Sequence, residues 1–209
     1  MKCVKMEILI DKGDFSGSET WTRLRGNIEA AIKAVVWPPG NDDFTIYAQS
    51  GKKRGQGNGV KPIKEAFTEK LTTFGWALEV QMDIATVNRP GKIDAVYEMT
   101  NDFPCQNKRF FAVEWETGNI SSSHRALNKM AVGLLEKKLV GGVLVLPTRK
   151  LYNFLTDRIG NFRELSPYFP MWKAIDIDEG FLAVIAVEHD HESFEVPRIE
   201  KGTDGRAMI

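Results

Sequence analysis

Three acidic side chains of this sequence have the spacing to converge on one point. In the run Lys108-Arg-Phe-Phe-Ala-Val-Glu-Trp-Glu116, apolar and acidic residues alternate. A strand turns successive side chains to opposite faces, so Glu114 and Glu116 share one face while Phe111, Val113 and Trp115 take the other. The run Ile93-Asp-Ala-Val-Tyr-Glu-Met99 reads as a second strand, and the polar stretch between them carries Pro104 near its middle. A hairpin folded about residue 104 sets Asp94 opposite Glu114. Carboxylates held that close repel one another unless a cation or a proton sits among them. Oxygen ligands in this arrangement suit a hard divalent metal such as Mg²⁺, with room for water and phosphate oxygens. On their own, two glutamates at period two also fit the wet face of an edge hairpin, so the chemistry turns on the residues after Glu116.

Directly after Glu116 the chain runs Thr117-Gly-Asn-Ile-Ser-Ser-Ser-His-Arg-Ala-Leu-Asn-Lys129. Gly118 can turn the chain, the serines offer N-caps, and Leu127, Met130, Ala131 and Leu134 have helical spacing, which predicts a helix from 122 to about 137. An acidic strand end thus abuts a helix N-terminus, which attracts phosphate. Arg125 and Asn119 can present paired donors to base edges in a major groove. The block from Val113 to Lys129 resembles the active-site strand and adjoining helix of the BamHI family of type II restriction endonucleases. Asn58-Gly-Val-Lys-Pro-Ile-Lys-Glu65, Ile93-Asp94, Leu155-Thr-Asp-Arg158, Asn161-Phe162, Pro167-Tyr-Phe169 and Lys201-Gly-Thr-Asp-Gly205 resemble further family segments in the same order. Many nucleases of the wider superfamily carry a lysine two residues after the strand glutamate. This chain has Glu116 there, as the BamHI family does.

The resemblance implies a restriction-endonuclease-like α/β fold of the PD-(D/E)xK superfamily, a three-layer sandwich with a central mixed sheet flanked by helices. It implies that Asp94 and Glu114 ligate Mg²⁺ with the backbone carbonyl of Trp115. Glu79 falls where the family has a further metal-contacting acid, although an ordinary exposed strand glutamate fits the same place. Glu116 is then the general base that orients or deprotonates the attacking water. Mn²⁺ should substitute for Mg²⁺, and Ca²⁺ should support binding without cleavage. Asn119, Ser121, Arg125, Asp157, Arg158 and Asp204 match the family's base-reading positions, with Lys64 as a further DNA contact. Asp157-Arg158 can read a G·C pair, the acid from cytosine and the arginine from guanine, while a helix-end salt bridge is the plainer reading. With all six residue types kept, the implied target is double-stranded DNA at palindromic GGATCC, cut after the first G to leave 5′ overhangs and 5′-phosphates.

A two-fold site implies a homodimer, and the apolar stripe of the 122–137 helix, beside residues 148–158, is the expected dimer face. A cognate DNA methyltransferase partner is implied as well. An inactive DNA-binding module of the same fold and a nuclease for another GATC-containing site are the alternatives. Asp94, Glu114 and Glu116 speak against the first. The sequence ends at Ile209, shortly after Asp204, where the family pattern continues into another helix, which puts any minor-groove arm or allosteric unfolding carried by that helix in doubt. Arg206 also replaces an apolar residue there.

The elements that must position these residues are legible from periodicity. Helices are predicted over 21–36, from 62 to about 73 with Pro62 in its favoured first turn, and over 148–158. Further strands are predicted over 44–48, 76–85, 141–146 and 181–187. With 209 residues and 43% hydrophobic content, one endonuclease domain over 1–209 is expected. Net charge is zero, which disfavours indiscriminate coating of nucleic acid. The charged N-terminus does not read as a secretory leader, no apolar run reaches membrane-spanning length, and Cys3 and Cys105 offer no disulfide framework. A cytoplasmic protein is expected. Residues 50–59, with Lys52, Lys53 and Arg54 among glycines, read as a mobile basic loop. Glu188-His-Asp-His-Glu192 reads as a solvated turn, and His124 as either a packing residue at a subunit contact or a catalyst.

Overall fold

The computed structural model describes residues 1–53, 55–84, 91–99, 109–156 and 159–201. Its centre is two strands with no exposed position, β6 (Leu139–Pro147) and β7 (Gly180–Glu188). Such strands are buried because both faces are covered. Val143, Val145, Ala183 and Ile185 join one apolar core, while Leu144, Leu146, Leu182 and Val184 join the other. The remaining strands of the sheet are β1 (Lys2–Lys12), β3 (Ala77–Gln81), β4 (Lys92–Glu98) and β5 (Phe110–Trp115), in the order β1-β7-β6-β5-β4-β3. The β5-β6 and β6-β7 pairs are parallel and the other pairs antiparallel. The expected mixed sheet is therefore present. A short parallel pair, β2 (Thr45–Tyr47) with β8 (His191–Ser193), stands apart from it.

Helices cover the two faces. On one side lie α1 (Glu19–Ala34), with Ser18 accepting from the Trp21 N–H as its N-cap, and α2 (Lys61–Thr72), with Pro62 in its first turn. Trp21, Leu24, Ile28, Phe67 and Leu71 pack there against Phe111, Val113 and Trp115. On the other side lie α3 (Ile120–Leu135) and α6 (Phe169–Lys173), with short helix α5 (Phe162–Leu165) nearby, while Leu151 of α4 (Arg149–Tyr152) joins the first core. Leu127, Met130, Ala131 and Leu134 of α3 pack with Trp172 against Ala112 and Leu144. This is the expected three-layer arrangement.

Residues 2–12, for which no element is predicted above, form an edge strand; two register shifts against β7 keep the edge irregular. Four expectations change. The helix expected over 148–158 ends at Tyr152, because Leu155 bridges to Asn58 and the Thr156 N–H donates to the Asn58 carbonyl at 2.7 Å. Residues 157–158 lie outside the described residues. The apolar stripe of α3, expected as a dimer face, is spent inside its own chain: Leu127 and Met130 are fully buried. The expected solvated turn at 188–192 instead buries Glu188 and His189. His189 Nε2 lies 2.9 Å from Glu192 Oε1, and Nδ1 approaches Glu188 at 2.6 Å by charge rather than in hydrogen-bond geometry. The loop over 50–59 is basic and exposed at Lys52 and Lys53, but it is packed down at Gly57, Asn58 and Gly59. Arg54 and Cys105 lie outside the described residues.

Candidate active site

Strands β4 and β5 pair Ala95 with Val113 and Val96 with Ala112, the register that a fold-back about residue 104 requires. Asp94 and Glu114 therefore stand side by side, both buried. The Trp115 N–H donates to Asp94 Oδ2 at 2.8 Å, and the Asp94 N–H approaches Glu114 Oε2 at 3.4 Å. Each carboxylate is thus anchored by the other's strand. On the far side of Asp94, β3 pairs Leu78 with Ala95 and Val80 with Ile93, so Glu79 falls opposite Asp94. Three neighbouring strands carry their acids along one line.

Two ammonium groups complete the charge balance. Lys64 of α2 donates to Asp94 Oδ1 at 2.6 Å, and Lys129 of α3 meets Glu114 Oε1 at 2.6 Å. Lys129 also donates to the Lys92 carbonyl at 2.6 Å. Burial and the neighbouring Asp94 raise the Glu114 carboxyl above the usual range, and Lys129 opposes that rise. Burial alone would lower Lys64, but the hydrogen bond and charge of Asp94, with Glu79 and Glu114, raise it on balance. Glu79 has a half-exposed side chain and a backbone φ of 52°. It meets Asp94 only through Lys64, at 3.9 Å. Among the described residues no three carboxylate, imidazole or thiol side chains gather closely enough to cage a metal unaided.

Glu116 comes directly after β5. Its Oε1 accepts the Gly118 N–H. Burial first, then the charges of Glu114 and Asp94, push its carboxyl up to about 7, against the Gly118 hydrogen bond and the positive charge of Arg125. A carboxylate with that proton affinity is suited to exchange protons near neutral pH. Asn119, not one of the serines, caps α3, accepting from the Ser122 N–H at 3.2 Å. One helical face then directs Ser121, Arg125 and Lys129 into an open cleft of about 940 Å³ that also contains Asp94, Glu114 and Glu116. Lys129 is the site residue that the sequence reading misses, although its four-residue spacing from Arg125 and Ser121 places it on that face. His124 packs its ring against Tyr168 and Trp172 at 4.5 and 5.4 Å, within its own chain. Asp157, Arg158 and Asp204 lie outside the described residues.

A family profile described as "Restriction endonuclease BamHI" matches residues 1–206. This chain belongs to the BamHI family of restriction endonucleases. It is 47% identical to the type II restriction enzyme OkrAI of Oceanobacter kriegii over 208 residues, 100% of both chains. It is 34% identical to the type II restriction enzyme BamHI of Bacillus amyloliquefaciens over 183 residues, 85% of this chain and 79% of that one. Its fold is shared with restriction endonuclease BglII, solved with a DNA 16-mer: TM-score 0.54, 11% identity, 90% of this chain and 79% of that one. The enzyme class expected from the sequence, type II restriction endonuclease, is that of its BamHI-family relatives. No helix among the described residues is long and apolar enough to cross a membrane.

The BamHI-family site fits a hard divalent cation on its own chemistry. Two buried carboxylates face one opening, each already neutralised by an ammonium at 2.6 Å. A cation entering the cleft would take over the compensation the two ammonium groups now give, and oxygen donors of this kind prefer Mg²⁺ or Mn²⁺ to softer metals.

Proposed function

We propose that this protein is a Mg²⁺-dependent endonuclease that cuts double-stranded DNA at palindromic GGATCC, after the first G, leaving 5′ overhangs with 5′-phosphates. The observation that carries this reading is the Asp94–Glu114 pair, anchored strand to strand, with Glu116 and the α3 N-terminus beside it. The target sequence rests on the kept residue types at Asn119, Ser121, Arg125, Asp157, Arg158 and Asp204. A symmetric target calls for a homodimer in the cytoplasm, with a methyltransferase protecting the same site.

Asp94 and Glu114, with the Trp115 carbonyl and Glu79 at the margin, would hold the metal. Mg²⁺ bound there supplies Lewis acidity toward the scissile phosphate and the leaving 3′ oxygen. Glu116 takes the proton of the attacking water, a task suited to a carboxyl raised to about 7. Lys64 and Lys129 are free to turn toward phosphate once metal compensates the acids. Arg125 and Ser121 on the cleft face of α3 meet the base edges and backbone.

The test is to incubate plasmid with the protein and Mg²⁺ and sequence the ends. Staggered ends at GGATCC are expected. Ends at another GATC-containing site would revise the target, and a shifted but uncut plasmid would make the protein a binder.

A further inference from the structure

Asn58 is fully buried, lies outside the catalytic cleft, and uses every polar atom it has. Its side-chain amide donates to the Tyr47 carbonyl at 2.8 Å and to the Phe154 carbonyl at 2.9 Å. Its Oδ1 accepts the Ile199 N–H at 3.2 Å. Its backbone N–H donates to Phe154 O at 2.8 Å, and its carbonyl accepts the Thr156 N–H at 2.7 Å. Three stretches of chain, distant from one another in sequence, meet on this one side chain.

Those stretches are the basic loop over 48–59, the loop that leads into Asp157-Arg158, and the segment that leads toward Asp204. Glycines let them touch backbone to backbone. A Cβ on Gly51 would lie 1.8 Å from the Leu155 carbonyl oxygen, and one on Gly59 would lie 1.9 Å from that of Glu200. The far flank of the Asp157-Arg158 loop is fixed to the active site. Ile159 bridges to Asn119, and the Gly160 N–H donates to the Gly118 carbonyl at 2.9 Å. Gly118 in turn gives its N–H to Glu116.

We infer that Asn58 is a positioning residue for sequence discrimination, tying the basic loop to the chain just before Asp157-Arg158 and to the Ile199 segment upstream of Asp204. The inference rests on the proposed DNA-cutting function. A buried amide whose donors and acceptor are all engaged holds a unique geometry, and losing it leaves the buried Ile199 N–H without its acceptor. The chain on either side of residues 157–158 is thereby held, Thr156 by Asn58 and Gly160 by Gly118 at the strand exit that carries Glu116.

The test compares wild type with Asn58→Asp, which sets a carboxylate against two carbonyls, and Gly51→Ala, which pushes Leu155 away. Affinities for GGATCC and for a duplex with one altered base pair are measured in Ca²⁺ at fixed salt, with folding checked by circular dichroism. The ratio of the two affinities should fall by about tenfold or more in either variant. A structural role alone would lower the melting temperature and leave the ratio intact. Hydrogen exchange on the wild type needs no variant: amides of 51, 58 and 156 should gain protection together on cognate DNA only. Folded variants that keep the ratio, or exchange that changes at one of these segments alone, would overturn the inference. A wild type with no preference for GGATCC would instead overturn the proposed function itself.

Discussion

Asp94 and Glu114 fix one another: Asp94 accepts the N–H of Trp115, the residue after Glu114, and Glu114 faces the N–H of Asp94. Two like charges are thereby held together by the strand pairing, at a cost that Lys64 and Lys129 offset. This is the pair that the proposed function assigns to the metal.

Removing the base should separate cleavage from binding. Glu116→Ala is expected to keep specific DNA binding while cleavage falls roughly 10²–10⁴-fold. Asp94→Asn should abolish cleavage. Gel-shift and plasmid-nicking assays on the same preparations check both, and near-normal cutting by either variant would move the site elsewhere.

Cleavage should climb with pH. As the proposed base Glu116 would act in its carboxylate form, and its carboxyl is raised to about 7, so the metal-free site is protonated below that pH. The rate should rise as pH approaches 7 and level off above it, with bound metal moving the midpoint downward. Stability runs the other way. A carboxyl raised on folding contributes stability below its unfolded value, and that contribution is lost as pH rises through about 7. In chelator the wild-type melting temperature should therefore decline over that range, and Glu116→Gln should flatten the decline.

Metal should replace lysine. Lys129→Met leaves the buried Glu114 without its partner, which costs up to about 3–5 kcal/mol, less to the extent that the raised Glu114 carboxyl takes a proton. A lower melting temperature in chelator that Ca²⁺ restores is the expected outcome; a deficit untouched by Ca²⁺ would contradict it. With wild type, Mg²⁺ or Mn²⁺ should support cutting and Ca²⁺ binding only.

Base reading and phosphate contact should part company in mutants. Arg158→Ala is expected to cost about 1–3 kcal/mol per half-site, concentrated at one G·C position. Lys52→Ala should weaken all duplexes alike and flatten the salt dependence. Equal losses on cognate and unrelated DNA with Arg158→Ala would make that residue a phosphate contact.

The residue pattern alone determined the strand carrying Glu114, its register with Asp94, and the helix after it. Each depends on local periodicity and on one short hairpin, where chain geometry leaves little choice. It also disclosed the family, because the acidic strand and the α3 N-terminus are contiguous in the chain. Tertiary structure alone decided what compensates those acids. Lys64 and Lys129 reach the site from two different helices, and no spacing within either helix states which carboxylate it will meet. Likewise the stripe of Leu127 and Met130 has the form of a partner surface, but apolar periodicity reports burial without naming the surface that covers it. Here that surface is Ala112 and Leu144 of the same chain. Asn58 gives no signal for the same reason: its partners at Phe154 and Ile199 are distant in sequence, and only folding brings their backbone groups to one buried amide.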